Sequence, residues 1–141
     1  MEGRRPSPGG WYSPPLPDKC VNGYARAALE RWNHGDPTGY LEISSPDVTY
    51  FDPFLDAKLS GHDALEHYYA PLKGKVRVER YELIGPSVVA SKDMAVLAFN
   101  LVSHEVDKSS RWNCTEVYRM ERDGRWMIIQ THWSWIQPLP E

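Results

Sequence analysis

The spacing of apolar and polar positions changes period near the middle of the chain, and that change sets the expected fold. Behind Asp18, a suitable helix N-cap, Val21, Tyr24, Ala25, Ala28, Leu29 and Trp32 recur at the three- and four-residue spacing of one helix face. Gly35 is placed to end that helix. Asp36-Pro37 supplies a cap and a first-turn proline for a short second helix through Tyr40, Leu41 and Ile43. Residues 48–52 read as a short strand closed by Pro53. Ser60 and Asp63 resemble a capping box ahead of a third helix through Ala64, Leu65, Tyr68 and Tyr69, which Pro71 stops.

From residue 75 the period is two. Segments 75–84, 87–91, 94–104, 111–121 and 125–136 read as strands separated by turn residues. Asp123-Gly124 between the last two is a strong hairpin signal. Helices followed by a meander of antiparallel strands define an α+β class. In the 94–104 segment Ala95, Leu97, Phe99 and Leu101 share one face, and Val96, Ala98 and Val102 share the other. Two apolar faces call for two covers. The helices supply one, and a second copy of the chain in a two-fold dimer is expected on the outer face.

A length of 141 residues makes one domain. Five of the 12 prolines fall in the first 17 positions, so 1–17 reads as an extended or disordered arm and 18–141 as the domain. Trp11 and Tyr12 are available to dock that arm. A net charge of −3 argues against nucleic acid as a partner. The longest apolar run, residues 94–99, falls far short of the ~20 residues that span a bilayer. The N-terminus has no apolar core of a secretory signal, so a cytoplasmic protein without a membrane partner is expected. Cys20 and Cys114 form no metal or redox motif and suit buried thiols in a reducing compartment. Aromatic residues make up 12% of the chain, and that many rings must be buried or line something.

Two carboxylates stand out. Strand alternation puts Glu116 with Trp112, Cys114, Tyr118 and Met120 on the more apolar face. Desolvation there favours the neutral acid, which can donate a hydrogen bond to a developing oxyanion. The alternative is a carboxylate paired with a nearby cation or solvated at a pocket mouth. Asp52 ends a strand among aromatic residues and, partly desolvated, suits a general base. Equally, it suits a cap for its own Asp-Pro turn. On the last segment Met127, Ile129, Thr131, Trp133 and Trp135 alternate as an apolar face, a natural pocket wall or simply core. Trp126, Ile128, Gln130, His132 and Ser134 fall opposite, toward the back of the sheet or a partner subunit. His62 and Glu66, four apart on a helix, offer two metal ligands without a third, so a solvated face is preferred and no metal is expected.

These residues carry a family resemblance. Trp32-Asn33-His34-Gly35-Asp36, the 48–53 strand and Ser60-Gly61 leading to Tyr68-Tyr69-Ala70 resemble the ketosteroid isomerase and SnoaL-like branch of the NTF2-like superfamily. Thr115-Glu116-Val117-Tyr118-Arg119, Asp123-Gly124-Arg125-Trp126 and Thr131-His132-Trp133-Ser134 are similar to the endings of SnoaL-like and DUF4440 proteins and of kinase association domains. The resemblance spans about residues 20–136. It implies a cystatin-like cone: a curved antiparallel sheet wrapped by about three helices around a pocket, with dimers formed through the outer sheet face. It implies Asp52 as general base, Glu116 as the acid of an oxyanion hole, and Tyr69 as a pocket tyrosine. The tyrosine that should donate the main oxyanion bond falls on Ala28, with Tyr24 one turn earlier on the same face. Trp32, Phe54, Trp112, Tyr118, Ile129, Thr131 and Trp133 complete an expected aromatic pocket for a small apolar or aromatic ligand. The implied chemistry is a cofactor-free isomerisation, cyclisation or dehydration; the alternative is a non-catalytic ligand-binding or dimeric assembly module.

Overall fold

The computed structural model describes residues 17–138. The expected proline-rich arm, apart from Pro17, lies outside the described residues, and so do Trp11 and Tyr12. Helix α1 (Pro17–Asn33) buries Val21, Ala25, Ala28 and Leu29 of the expected face, with Tyr24 and Trp32 half-buried beside them, and buries Asn33 as well. It starts one residue ahead of Asp18, whose carboxylate accepts from the neighbouring Lys19 N–H at 2.9 Å. Beyond it the Gly35 N–H closes the helix end on the Trp32 carbonyl at 2.9 Å.

Helix α2 (Thr38–Glu42) follows at once. Pro37 is its N-cap residue, not its first turn, and Asp36 does the capping from one position further out. The Asp36 carboxylate takes the Thr38 N–H at 3.0 Å, and Arg31 bridges Asp36 at 2.9 Å and Glu42 at 2.7 Å. The Thr38 bonds and the guanidinium hold Asp36 down at about 2. Gly39 lets α2 lie directly on α1, since a Cβ there would stand 3.2 Å from the Ala28 Cα. This braced corner presents Tyr40 inward, where it is 5% exposed.

Strand β1 (Ser44–Phe51) is longer than the 48–52 segment expected. It pairs with the two-residue strand β2 (Leu59–Ser60), which leads into α3 (His62–Tyr69) and a 3-10 turn (Ala70–Leu72) containing Pro71. The expected Ser60–Asp63 capping box does not form. Ser60 is engaged opposite Thr49 in the sheet, and Gly61 caps the helix with φ 98° and no side-chain bond. That backbone angle belongs to the region only glycine enters freely.

The second half is a meander of β3 (Arg80–Ala90), β4 (Met94–His104), β5 (Ser109–Met120) and β6 (Trp126–Trp135). Two expected strands, 75–84 and 87–91, are one. Residues 75–79 precede β3, and a bulge between Ile84 and Ser87 absorbs Gly85 and Pro86. Proline cannot donate to a ladder, and β3 is an edge strand, where that loss is tolerated. The Asp123-Gly124 hairpin closes on a Glu121 N–H to Arg125 carbonyl bond of 2.8 Å.

The six strands form one curved, open sheet in the order β2-β1-β6-β5-β4-β3. It is mixed, because β1 runs parallel to β6 while the meander is antiparallel. The helices cover one face: α1 packs on β3 and β4, and α3 packs on β1. As expected, Ala95, Leu97, Phe99 and Leu101 of β4 point into that core. Among the described residues no helix is long and apolar enough to cross a membrane. Cys20 and Cys114 are free thiols, the first half-buried and the second buried.

One correction concerns β6. Alternation put Ile129 inward and Trp126 and Ile128 at the back of the sheet. Instead Trp126 and Ile128 are 4% and 0% exposed within the core. The register with β5 shifts between Val117 and Tyr118: Ile128 stands opposite Tyr118, and Gln130 opposite Val117. Ile129 is the extra residue of that bulge, so the inward phase runs through Trp126 and Ile128, then resumes at Thr131 and Trp133.

Candidate functional site

Between the helices and the concave sheet face lies a cavity of about 440 Å³. Its size suits a small organic ligand. The walls are mainly aromatic. Trp32 meets Tyr69 edge to face at 5.1 Å and Tyr40 at 5.9 Å, and Tyr50 meets Tyr69 at 5.7 Å. Across the cavity Trp112 meets Trp133 at 6.0 Å. Such edge-to-face pairs hold ring positions more firmly than area burial alone. At the mouth Phe54, 63% exposed, leans on Trp135 at 4.8 Å. Glu105 and Lys108, from the hairpin between β4 and β5, join the rim.

Asp52 lies on the cavity wall, just beyond the end of β1. Its Oδ2 accepts the hydroxyls of Tyr50 at 3.0 Å and Tyr68 at 2.8 Å. Its Oδ1 accepts the Phe54 N–H at 2.9 Å, closing a turn over Pro53. The turn-capping reading is thus realised together with exposure to the cavity. Burial, then the bond to Asp52, pushes the Tyr68 phenol up, so it stays a donor.

Glu116 is 0% exposed, opposite Leu97 on β4 and Thr131 on β6. It lies behind the cavity wall, not on it. Tyr118 donates its hydroxyl to Oε1 at 2.8 Å, and the Cys114 thiol approaches Oε2 at 3.9 Å. Burial pushes the acid up to about 7, against the pull of those two donors. Of the two readings of this residue, a paired carboxylate is not what the side chain meets: its partners are a phenol and a thiol.

Of the other expected pocket residues, Trp32, Phe54, Tyr69, Trp112 and Trp133 line the cavity. Tyr24 is half-buried against the core and outside the wall, so it does not stand in for the tyrosine missing at Ala28. Tyr118 and Thr131 are buried in the layer of Glu116, and Ile129 is carried away by its bulge. His132 is exposed and lies against Phe51 at 4.8 Å. Asp63 joins His62 and Glu66 in a cluster with ligand atoms within 4.8 Å, but His62 Nε2 already meets the Leu41 carbonyl at 2.8 Å.

Among the wall residues that were not expected are Asn33, Tyr40, Tyr50 and Tyr68. Tyr50 carries a signal, since it sits two residues before Asp52 on the same strand face. Asn33 carries another, a polar residue four positions after Leu29 on the buried face of α1.

This architecture is the NTF2-like, cystatin-like fold. The SnoaL-like domain family matches residues 25–129, and the chain belongs to that family. A candidate ketosteroid isomerase from Parabacteroides distasonis is similar at 41% identity and TM-score 0.77, over 85% of this chain and 88% of that one. An NTF2-like protein of unknown function from Pseudomonas putida shares the fold at 20% identity and TM-score 0.74, covering 83% and 84%. So does the CaMKII hub of S. rosetta, at 21% identity and TM-score 0.71, covering 88% and 100%. No curated protein matches the chain.

Proposed function

We propose that the chain binds a small, mainly apolar or aromatic carbonyl compound in this cavity and moves a proton on it, with Asp52 as the base. The observation that carries this reading is the Asp52 carboxylate on an aromatic wall, fixed by two phenols and a backbone N–H. A positioned base of this kind contributes roughly 10²–10⁴-fold to proton transfer. Isomerisation, aldol-type cyclisation and dehydration all use such a step, and the likeness to a candidate ketosteroid isomerase supports the class.

Glu116 serves as the acid kept neutral behind the wall. An ionised carboxylate there would oppose negative charge growing on a substrate oxygen, so its neutral form favours turnover. The reaction needs Asp52 ionised and Glu116 protonated.

Proton exchange tests the reading. In deuterium oxide the protein should exchange the α-protons of 1-indanone above the buffer rate, followed by NMR. Asp52→Asn should lose that excess by about 10²-fold or more. Equal exchange by both forms would overturn the assignment.

An assembly role is the second reading, favoured by the outer sheet face. Val89, Val96 and Val117 stand side by side across β3, β4 and β5, and Val89 is 75% exposed. A second copy of the chain docked there covers the row. Sedimentation should give a dimer, and Val96→Asp a monomer; a wild-type monomer at high protein concentration rejects this reading.

A further inference from the structure

Aromatic rings at the mouth of the cavity stay open to solvent. Phe54, in the turn after β1, is 63% exposed, and Trp135, at the end of β6, is 39% exposed. Trp112, opposite Trp135 on β5, is half-buried. Phe54 stands 4.8 Å from Trp135 and 6.3 Å from Trp112, and the two indoles stand 5.5 Å apart. The planes are inclined by 90°, 66° and 50° in the same order, so the rings form a corner and not a stack. Sheet pairing fixes the two indoles, and the bond of 2.9 Å from the Phe54 N–H to Asp52 fixes the turn below the third ring. A cluster of exposed rings beside a cavity marks a binding surface.

The charges of the lining select the ligand. They are Asp52 and half-buried Glu105 against Lys108, which is exposed. Among the described residues neither carboxylate forms a salt bridge. The Lys108 ammonium is a strongly hydrated charge on a flexible stem and stays in water. Neutral donors of the wall are already engaged. Tyr50 and Tyr68 give their hydroxyls to Asp52, and the Trp112 N–H reaches Ser103 Oγ at 3.3 Å. An anion would meet like charge here, whereas a cation meets two carboxylates and the negative faces of the rings.

We propose that Phe54, Trp112 and Trp135, with Glu105 on the same rim, hold an organic cation. The substrate is then a carbonyl compound with its apolar body in the cavity and an alkylated ammonium head at the mouth. Ring faces attract such a head within about 6 Å of their centroids, most strongly for Trp. Inclined rings let one cation lie over more than one face. The rings and Glu105 hold the head, which leaves Asp52 free to take the proton.

The cation site rests on the ligand-binding reading above, and matched ketones separate the two. Binding of 4-(trimethylammonio)acetophenone, 4-tert-butylacetophenone and 4-acetylbenzenesulfonate to the full chain would be measured by calorimetry. The first two share shape and differ in charge. The wild type should prefer the cation to its neutral twin by about tenfold. Trp135→Leu and Phe54→Leu keep an apolar side chain and remove a π face. Each should cut that preference to about threefold or less while binding the tert-butyl ketone nearly as before. Glu105→Gln should act in the same direction, and Lys108→Gln should tighten the cation. Equal binding of cation and neutral twin by the wild type overturns the cation site and leaves the cavity reading standing. An undiminished preference in both ring variants overturns the role of the rings. Tighter binding of the sulfonate than of the neutral ketone overturns the sign of the site. Failure of all three ketones to bind overturns the cavity reading and the cation site with it.

Discussion

Tyr68 donates its hydroxyl to Asp52 Oδ2 at 2.8 Å, tying the last turn of α3 to the residue beyond the end of β1. Tyr50 shares the same oxygen at 3.0 Å. A hydrogen bond to a charged group contributes about 1.5–3 kcal/mol, less where water reaches it, and Tyr68 is partly exposed. Tyr68→Phe should therefore cost about 1 kcal/mol in urea denaturation. The same change in an Asp52→Asn background should cost distinctly less, since the charge it served is gone. Equal costs in both backgrounds would mean that the bond contributes nothing to holding the carboxylate.

Glu116 should make stability depend on pH in the direction opposite to a salt-bridged acid. Its folded value is raised from 4.5 to about 7 by burial. Below pH 4.5 the group is neutral in both states and the fold keeps its full stability. Between 4.5 and about 7 the unfolded chain releases the proton while the folded chain retains it, so stability falls as pH rises. Above 7 the deficit is constant, about 3 kcal/mol. Glu116→Gln keeps an acceptor for Tyr118 and removes the titration. Urea unfolding at pH 4 and pH 8 should show the wild type losing about 3 kcal/mol relative to the variant. If Glu116 also acts as proposed, the fall in α-proton exchange above pH 7 should vanish in the same variant.

What was legible in the sequence follows from how local each cause is. The alternation of β4 and β5 is uninterrupted where it matters, so the inward row of Ala95, Leu97, Phe99 and Leu101 and the burial of Glu116 could be read directly. The Asp123-Gly124 turn is equally local. The bulge at Ile129 defeated alternation, because one extra residue reverses every side chain beyond it, and the one at Gly85-Pro86 made a single strand read as two. At Ile129 three successive apolar residues, Met127 to Ile129, fit either phase, and only pairing with β5 selects one. The parallel β1–β6 pair joins segments some 80 residues apart and has no local signature. Asp52 announced itself through its aromatic neighbours, whereas Tyr40 read as an ordinary residue of a short helix, and its place on the cavity wall depends on how α2 packs against α1.

Gly61 replaces the capping box that the sequence suggested, and its backbone bears the cost of that choice. With φ at 98° it turns the chain from β2 into α3, and its N–H meets the Val48 carbonyl at 2.7 Å. A Cβ at this position has room, its nearest neighbour being the Pro46 carbonyl at 3.9 Å. Strain, not collision, is therefore the penalty. Gly61→Ala should destabilise the protein by about 1–2 kcal/mol in chemical denaturation. It should also weaken the Tyr68–Asp52 bond, because α3 carries Tyr68. A variant as stable as the wild type would show that the turn relaxes without cost.

Phe54 separates stability from ligand capture at the same cavity. It is 63% exposed, yet it reaches Trp135 at 4.8 Å and Trp112 at 6.3 Å, both edge to face. Its backbone N–H, not its ring, holds Asp52 Oδ1, so truncation leaves that bond in place. A side chain this exposed buries little on folding, and Phe54→Ala should change stability by no more than about 0.5 kcal/mol. The ring does cover the mouth. Its removal should speed release of 1-indanone several-fold, read by NMR line shapes. Unaltered release would place the route of entry elsewhere.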